Sequence, residues 1–209
     1  MVKTNINLFA EGEVVYTDGG VLAEFAWVLV VLPFIAALII TFAGKSLPLK
    51  GAEIALGTIG IIFIYSLALM YLHVTEGVAN EFFINVGNIG QFDIEFGWVV
   101  DGLSIMMYFV VGLVALLVFI YATNYMEGEI RYTFFFTSLT LFAGSMLVLV
   151  SSPTLIQILI GWELVGVCSY LLIGHYWEVK DNSSAAMKAF ITNKIADVGL
   201  MIGIIILRS

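Results

Sequence analysis

Six apolar stretches of about 20 residues or more leave this chain few possible folds. They fall at roughly 21–44, 52–74, 101–123, 132–151, 154–175 and 183–207, and most are joined by short polar links. About 20 apolar residues in a helix match the ~30 Å hydrocarbon core of a bilayer, where only helices and closed barrels satisfy every backbone polar group. Strands of a barrel are half that length, so the expectation is an all-α polytopic membrane protein with about six transmembrane helices. Composition agrees. Of 209 residues, 61% are hydrophobic and 11% charged, with a mean hydropathy of +1.06, which is too little polar surface to cover a globule in water.

Only one connection is long. In residues 75–100 two alternating, aromatic-rich runs, "EFFINV" and "QFDIEFGWVV", flank Gly87-Asn88-Ile89-Gly90. That pattern predicts a β-hairpin between the second and third helices, lying over one membrane face. Residues 1–20 lack the basic-then-apolar order of a signal peptide and read as a segment ahead of a retained first helix. If that segment is external, the inside loops hold Lys45, Lys50, Arg131 and Lys180 and the outside segments only Lys3 and Arg208. The bias favours an external N-terminus and an external hairpin.

The formal charge of −8 argues against nucleic acid or an anionic lipid surface as a partner, since both select clustered Lys and Arg. One cysteine, Cys168, cannot form an internal disulfide and reads as a small packing residue, and no Cys/His spacing suggests a metal. No cofactor is expected to bind within the chain.

A charge at the bilayer centre costs about 2.5–3.5 kcal/mol on insertion scales, so each needs a partner, a neutral form or water. Glu163 stands about ten residues past Thr154, ~15 Å deep at ~1.5 Å per residue, in the middle of "GWELVGVCSYLLIGHYW". The sixth run carries Lys194 and Asp197 at similar depth. A short loop near 179–180 makes the fifth and sixth helices antiparallel neighbours. Counting outward from it puts Glu163, Lys194 and Asp197 in one layer, and Lys194 and Asp197, three apart, share a helix face. Two readings follow: a row of groups that exchange protons along a hydrated path, or a static ion pair that fixes helix register. Intramembrane ionisable residues favour the first.

Other residues are weighed lower. Lys188, nearer the inner end, can extend its ammonium to the headgroups. His175, at the inner end of the Glu163 helix, is a candidate proton exit; an interfacial place beside Tyr176 and Trp177 is the favoured reading. Glu24, Glu53 and Asp101 sit at helix ends, where a solvated or N-capping role is favoured over transport. His73 reads as interfacial. Gly161, Gly166 and Gly174, with Ser169, read as sites of close helix approach.

The stretches "GWELVGVCSYLLIGHYW" and "AAMKAFITNKIADVG", supported by "VDGLSIMM", "YATNYMEGE" and "RYTFFFTSLTLFAGSMLVLVSSPTLIQILIGWE", resemble the L subunit of NADH-quinone oxidoreductase, respiratory complex I, over about residues 21–207. The resemblance implies an antiporter-like subunit that translocates protons using energy from quinone reduction elsewhere in the complex. It implies NADH, FMN, iron–sulfur clusters and quinone in other subunits, an M-type antiporter-like subunit as first neighbour, and a bacterial or archaeal inner membrane. In such proteins the glutamate matching Glu163 pairs with a lysine on a seventh helix, and an Arg and an Asp match Lys194 and Asp197. Lys194 therefore keeps the charge of the family's arginine but not its planar fork. Ala196 replaces a usual glycine, and His175 stands where an aromatic is commoner.

The family has more than a dozen spanning helices, two inverted five-helix repeats after three leading ones. On that pattern residues 21–123 would be the leading helices, and residues 132–207 the first three of a truncated repeat. The expectation is a fragment, a split-gene product or an incomplete sequence. The large subunit of a multisubunit Na⁺/H⁺ antiporter shares the implied fold, and a non-transporting membrane scaffold is the reading from another class.

Overall fold

In the computed structural model, residues 20–89 and 92–208 are described. The expected 1–20 segment lies almost wholly outside them, as do Gly90 and Gln91 within the expected hairpin. The chain forms a short α1 (Gly20–Glu24), then α2 (Trp27–Ala43), α3 (Ala52–Glu76), strands β1 (Asn80–Ile89) and β2 (Phe92–Val100), α4 (Gly102–Tyr125), α5 (Tyr132–Val150), α6 (Leu155–Ile173) and α7 (Lys180–Arg208). Helices α2 to α7 are each long and apolar enough to cross a membrane, and the protein is an integral, multi-pass membrane protein.

The bounds differ from expectation in two places. The first apolar run is not one helix: a turn at Phe25-Ala26 separates α1 from α2, with Ala23 and Ala26 fully buried at the bend. Gly87 and Asn88 are strand residues, not the turn. They pair with Ile94 and Asp93, and the register shifts between Asn85 and Gly87, leaving Val86 as the extra residue of a bulge. A glycine beside a bulge answers a local bend as readily as a turn does, so the turn signal here pointed two residues too early.

The bundle runs as a chain of neighbours. Helix α2 packs between α3 and α5, α4 lies against α3, α6 against α5, and α7 against α6. The core joins Leu29 and Ile40 of α2, Ile59 and Ile62 of α3, Ile105, Tyr108 and Phe119 of α4, and Phe136 and Leu147 of α5. Gly112 sets α4 against α3, because a Cβ there would meet the Phe63 backbone at 3.2 Å.

Helix ends are closed by local chemistry. Asp101 caps α4 through a reciprocal box: its Oδ1 accepts from Ser104 N (2.7 Å), and Ser104 Oγ accepts from Asp101 N (2.8 Å). Glu53 accepts from Gly51 N (3.2 Å) in the first turn of α3. His73 meets Val78 O through Nδ1 (2.7 Å), tying the end of α3 to the entry of the hairpin.

The hairpin does not float over the membrane face; it is sewn to the α5–α6 link. Val99 N donates to Ser151 O (2.9 Å), Tyr108 OH to Val99 O (3.0 Å) and Thr154 Oγ1 to Glu95 O (3.2 Å). Buried Gln157 donates from Nε2 to Gly97 O (2.8 Å) and accepts from Gly97 N at Oε1 (2.9 Å). Position 97 admits only glycine, since a Cβ there would lie 1.9 Å from Phe82 O. At the opposite end Thr133 Oγ1 donates to Lys50 O (3.0 Å), and Arg131 pairs with Glu178, so Lys50, Arg131 and the α6–α7 link share that end.

Candidate functional site

Helices α6 and α7 run antiparallel because a short turn, Gly174–Tyr176 and the residues after it, joins them. Glycines on α6 let them close. A Cβ at Gly166 would fall 2.7 Å from Asn193 Nδ2, and one at Gly174 would touch the Ala186 methyl at 3.4 Å. On its other side, Gly161 lets α6 approach the Leu149 backbone of α5, 2.9 Å from where a Cβ would stand. These contacts fix the register: Gly174 meets Ala186, Tyr170 lies tilted against Phe190 (5.4 Å between centroids), and Gly166 meets Asn193. One turn further along α6 the same register sets Glu163 level with Ala196 and Asp197, so the long side chain of Lys194, about one turn short of that level, must reach across to meet it.

It does. Lys194 Nζ forms an ion pair with Glu163 Oε2 across the helix pair, and a second with Asp197 Oδ2 (3.0 Å) along its own helix. Asp197 is only 3% exposed, whereas Glu163 and Lys194 keep about a third of their side chains open, at 37% and 30%. The ammonium also lies over the Phe190 ring, 5.3 Å from its centroid, where the π face attracts a cation. The arrangement is one cation between two carboxylates, in the middle of two spanning helices.

A fourth member was not anticipated from the sequence. Trp162 Nε1 donates to Asp197 Oδ1 at 2.8 Å, so both Asp197 oxygens are engaged by different partners. The signal available was position. Tryptophan favours the ends of a span, and one beside a mid-span glutamate needs an acceptor for its N–H.

The remaining candidates lie apart. His175 is buried at the basic end, in van der Waals range of Phe135 (5.4 Å), Phe134 (6.4 Å) and Tyr176 (4.9 Å) between ring centroids. It stands twelve residues from Glu163 along the helix, ~18 Å at ~1.5 Å per residue. Lys188 is exposed on α7, toward the same end. Asp101 is the N-cap of α4, Glu53 accepts from Gly51 N in the first turn of α3, and Glu24 is exposed at the end of α1. Cys168 is buried beside Ser145 (3.8 Å), and Ser169 donates to Gly166 O (2.8 Å). Outside the spans, Arg131 Nη2 donates to Glu178 Oε1 (2.6 Å) and its guanidinium lies 5.5 Å from the Trp177 centroid. That hydrogen bond holds the Glu178 carboxyl below its usual range. Among the described residues no group of three His, Cys, Asp or Glu side chains is placed to hold a metal ion.

This geometry defines a class: a polytopic helical membrane subunit with an ionisable cluster inside the bilayer. Residues 87–136 match the family described as NADH-ubiquinone oxidoreductase (complex I), chain 5 N-terminus, and residues 152–209 the family NADH:quinone oxidoreductase/Mrp antiporter, TM. Over 191 residues the chain is 39% identical to NAD(P)H-quinone oxidoreductase chain 5 of Synechocystis sp., covering 88% of this chain and 28% of that protein. Over 189 residues it is 36% identical to subunit 5 of the Paulinella chromatophora chromatophore enzyme, covering 87% and 28%. The chloroplastic subunit 5 of Spinacia oleracea is 36% identical over 189 residues, 87% and 26%. The fold is shared with a chain of the membrane-bound sulfane sulfur reductase, an archaeal respiratory membrane complex, at a TM-score of 0.70, with 13% identity and coverage of 85% and 36%. The chain belongs to the complex I chain 5, or L-type, family and corresponds to its N-terminal portion. It spans little more than a quarter of the length of the relatives it matches.

Proposed function

We propose that this chain supplies the opening helices of a proton-translocating L-type subunit of an NADH-quinone oxidoreductase, and that Glu163, Lys194 and Asp197 carry charge through its membrane interior. The observation that carries this is the position of Lys194 between two carboxylates on neighbouring helices, at mid-span. A proton that neutralises Glu163 releases Lys194 toward Asp197, whose Oδ2 already lies 3.0 Å away. Loss of that proton draws the ammonium back. A cation that switches between two anions couples proton occupancy to the position of one side chain, and low polarity makes each step sensitive to the next charge along the path.

His175 and Lys188 lie on the basic side of the cluster and would serve as its exit rather than its centre. The clustering of Lys45, Lys50, Arg131 and Lys180 at the end opposite the hairpin supports a cytoplasmic assignment for that end, with the N-terminus and hairpin external. The membrane would be the inner membrane of a bacterium or archaeon. In this reading an M-type antiporter-like subunit is the first neighbour, and NADH, FMN, iron–sulfur clusters and quinone are bound by other subunits. Residues 21–123 are leading helices, and 132–207 open an antiporter-like repeat. The second matching family also covers Mrp antiporters, but the three sequence relatives named above are quinone oxidoreductase subunits, which disfavours a stand-alone Na⁺/H⁺ antiporter.

The test is Glu163→Gln in the full-length protein within its assembled complex, with NADH oxidation and proton uptake followed together in inverted membrane vesicles. Proton uptake per NADH is expected to drop about tenfold, the effect of roughly one charge-assisted hydrogen bond, while electron transfer continues. Unchanged pumping in a normally assembled complex would sink the proposal. Sodium-dependent exchange without NADH would point to the antiporter instead.

A further inference from the structure

Trp162 is 43% exposed, so more than half of its surface packs, and packing accounts for the ring but not for the placement of its N–H. Its indole N–H sits at mid-span, where a donor without an acceptor is costly. The acceptor is Asp197 Oδ1 at 2.8 Å. Within a helix Asp197 has no free backbone N–H to turn to, and its other oxygen faces Lys194 at 3.0 Å. The carboxylate is thus held with one oxygen committed to α6 and one to the lysine.

Resting on the reading above, we propose that Trp162 is a positioning residue for the cluster: its N–H anchors Asp197 in a charged, one-handed pose, so that Lys194 stays shared between Asp197 and Glu163. Without the N–H, Oδ1 is orphaned. The carboxylate then either turns both oxygens onto Lys194, pulling it away from Glu163, or takes a proton. Both outcomes remove the two-anion arrangement that lets Lys194 switch. The charged groups facing Asp197 are Lys194 on its own helix and Glu163 on α6, with Lys188 two turns away toward the helix end. Helix α5, behind α6, carries no Asp, Glu, Lys, Arg or His between 132 and 150. Loss of the donor therefore costs Lys194 its shared position between the two carboxylates.

The experiment replaces Trp162 with β-(3-benzothienyl)alanine, which keeps the bicyclic shape and lacks the N–H, in the full-length protein within its complex; Trp162→Phe is the companion variant. Quinone reduction is expected to stay within twofold. Proton uptake per NADH should fall roughly tenfold with the analogue, and a ring-fluorinated tryptophan, which keeps the N–H, should leave it at the wild-type level. A wild-type yield and profile with the analogue would overturn the proposal. So would an equal loss with the fluorinated tryptophan, which marks a packing role, or failure of the isosteric analogue to assemble. Glu163→Gln is run alongside. If it leaves pumping intact, the translocation reading itself fails; if it impairs pumping and the Trp162 variants do not, only the positioning role fails.

Discussion

Gln157 and Glu163 are six residues apart on α6, and each brings a polar head into the interior in a different way. Gln157 spends both amide atoms on the backbone of Gly97, a neutral and fully matched contact that locks hairpin to helix. Glu163 meets a cation that is also claimed by Asp197, so its contact has an alternative. The surroundings differ in the same sense. Gln157 is buried, at 5% exposed, whereas Glu163 and Lys194 keep 37% and 30% of their side chains open. Matched hydrogen bonds hold the frame, while the charged cluster offers one cation two acceptors, so a single side chain can move between them.

The comparison breaks most severely if the shared cation is removed. Lys194→Met leaves Glu163 and Asp197 facing each other at mid-span with no counter-charge. Removing one partner of a buried ion pair costs about 3–5 kcal/mol. The expected result is a large loss of assembled protein on native gels of membrane extracts, with any assembled remainder unable to pump. Lys194→Arg restores the charge and should recover assembly. If Lys194→Met assembles normally, the two carboxylates are already neutral or paired elsewhere, and the contrast between fixed and switchable contacts disappears.

A smaller effect is expected at the fixed contact. Gln157→Leu keeps the volume but leaves the Gly97 N–H and carbonyl without partners, at about 1–3 kcal/mol for the buried groups. Faster hydrogen exchange confined to the hairpin and to the start of α6 is the expected signature, with the Glu163–Lys194 layer little changed. Equal loosening at both places would show that the frame and the cluster are one cooperative unit.

What the sequence disclosed follows from which signals are local. The six spans were legible because twenty apolar residues admit one backbone solution in lipid, and the Glu163–Lys194–Asp197 layer because a short link fixes antiparallel register by counting. Asp101 as a cap was legible for the same reason: its partner is three residues away. The hairpin tip was misplaced because Gly87 serves a bulge, and turn and bulge use glycine for similar reasons. The docking of Gln157 on Gly97 joins residues 60 apart, and Trp162 to Asp197 joins residues 35 apart. Pattern reading does not reach either pairing, since indole and amide side chains carry no periodicity that names their partners.

The smallest effect belongs to the exposed pair at the basic end. Arg131 holds the Glu178 carboxyl below its usual range by a hydrogen bond, and the guanidinium in turn rests on Trp177. A depressed acid contributes stability that is fully present above its ordinary pKa and is lost as pH falls through the lowered folded value. Near neutrality the pair is therefore intact, and the tether between the α4–α5 and α6–α7 links weakens only on acidification. Water screens such a pair, so its loss should not disturb the spans. Glu178→Gln at neutral pH should reproduce the acid behaviour: slightly faster proteolysis in the 126–131 and 177–180 links, unchanged assembly and unchanged pumping. A pumping defect in that variant would extend the switchable region from the α6–α7 cluster to the membrane surface and redraw the boundary between frame and relay.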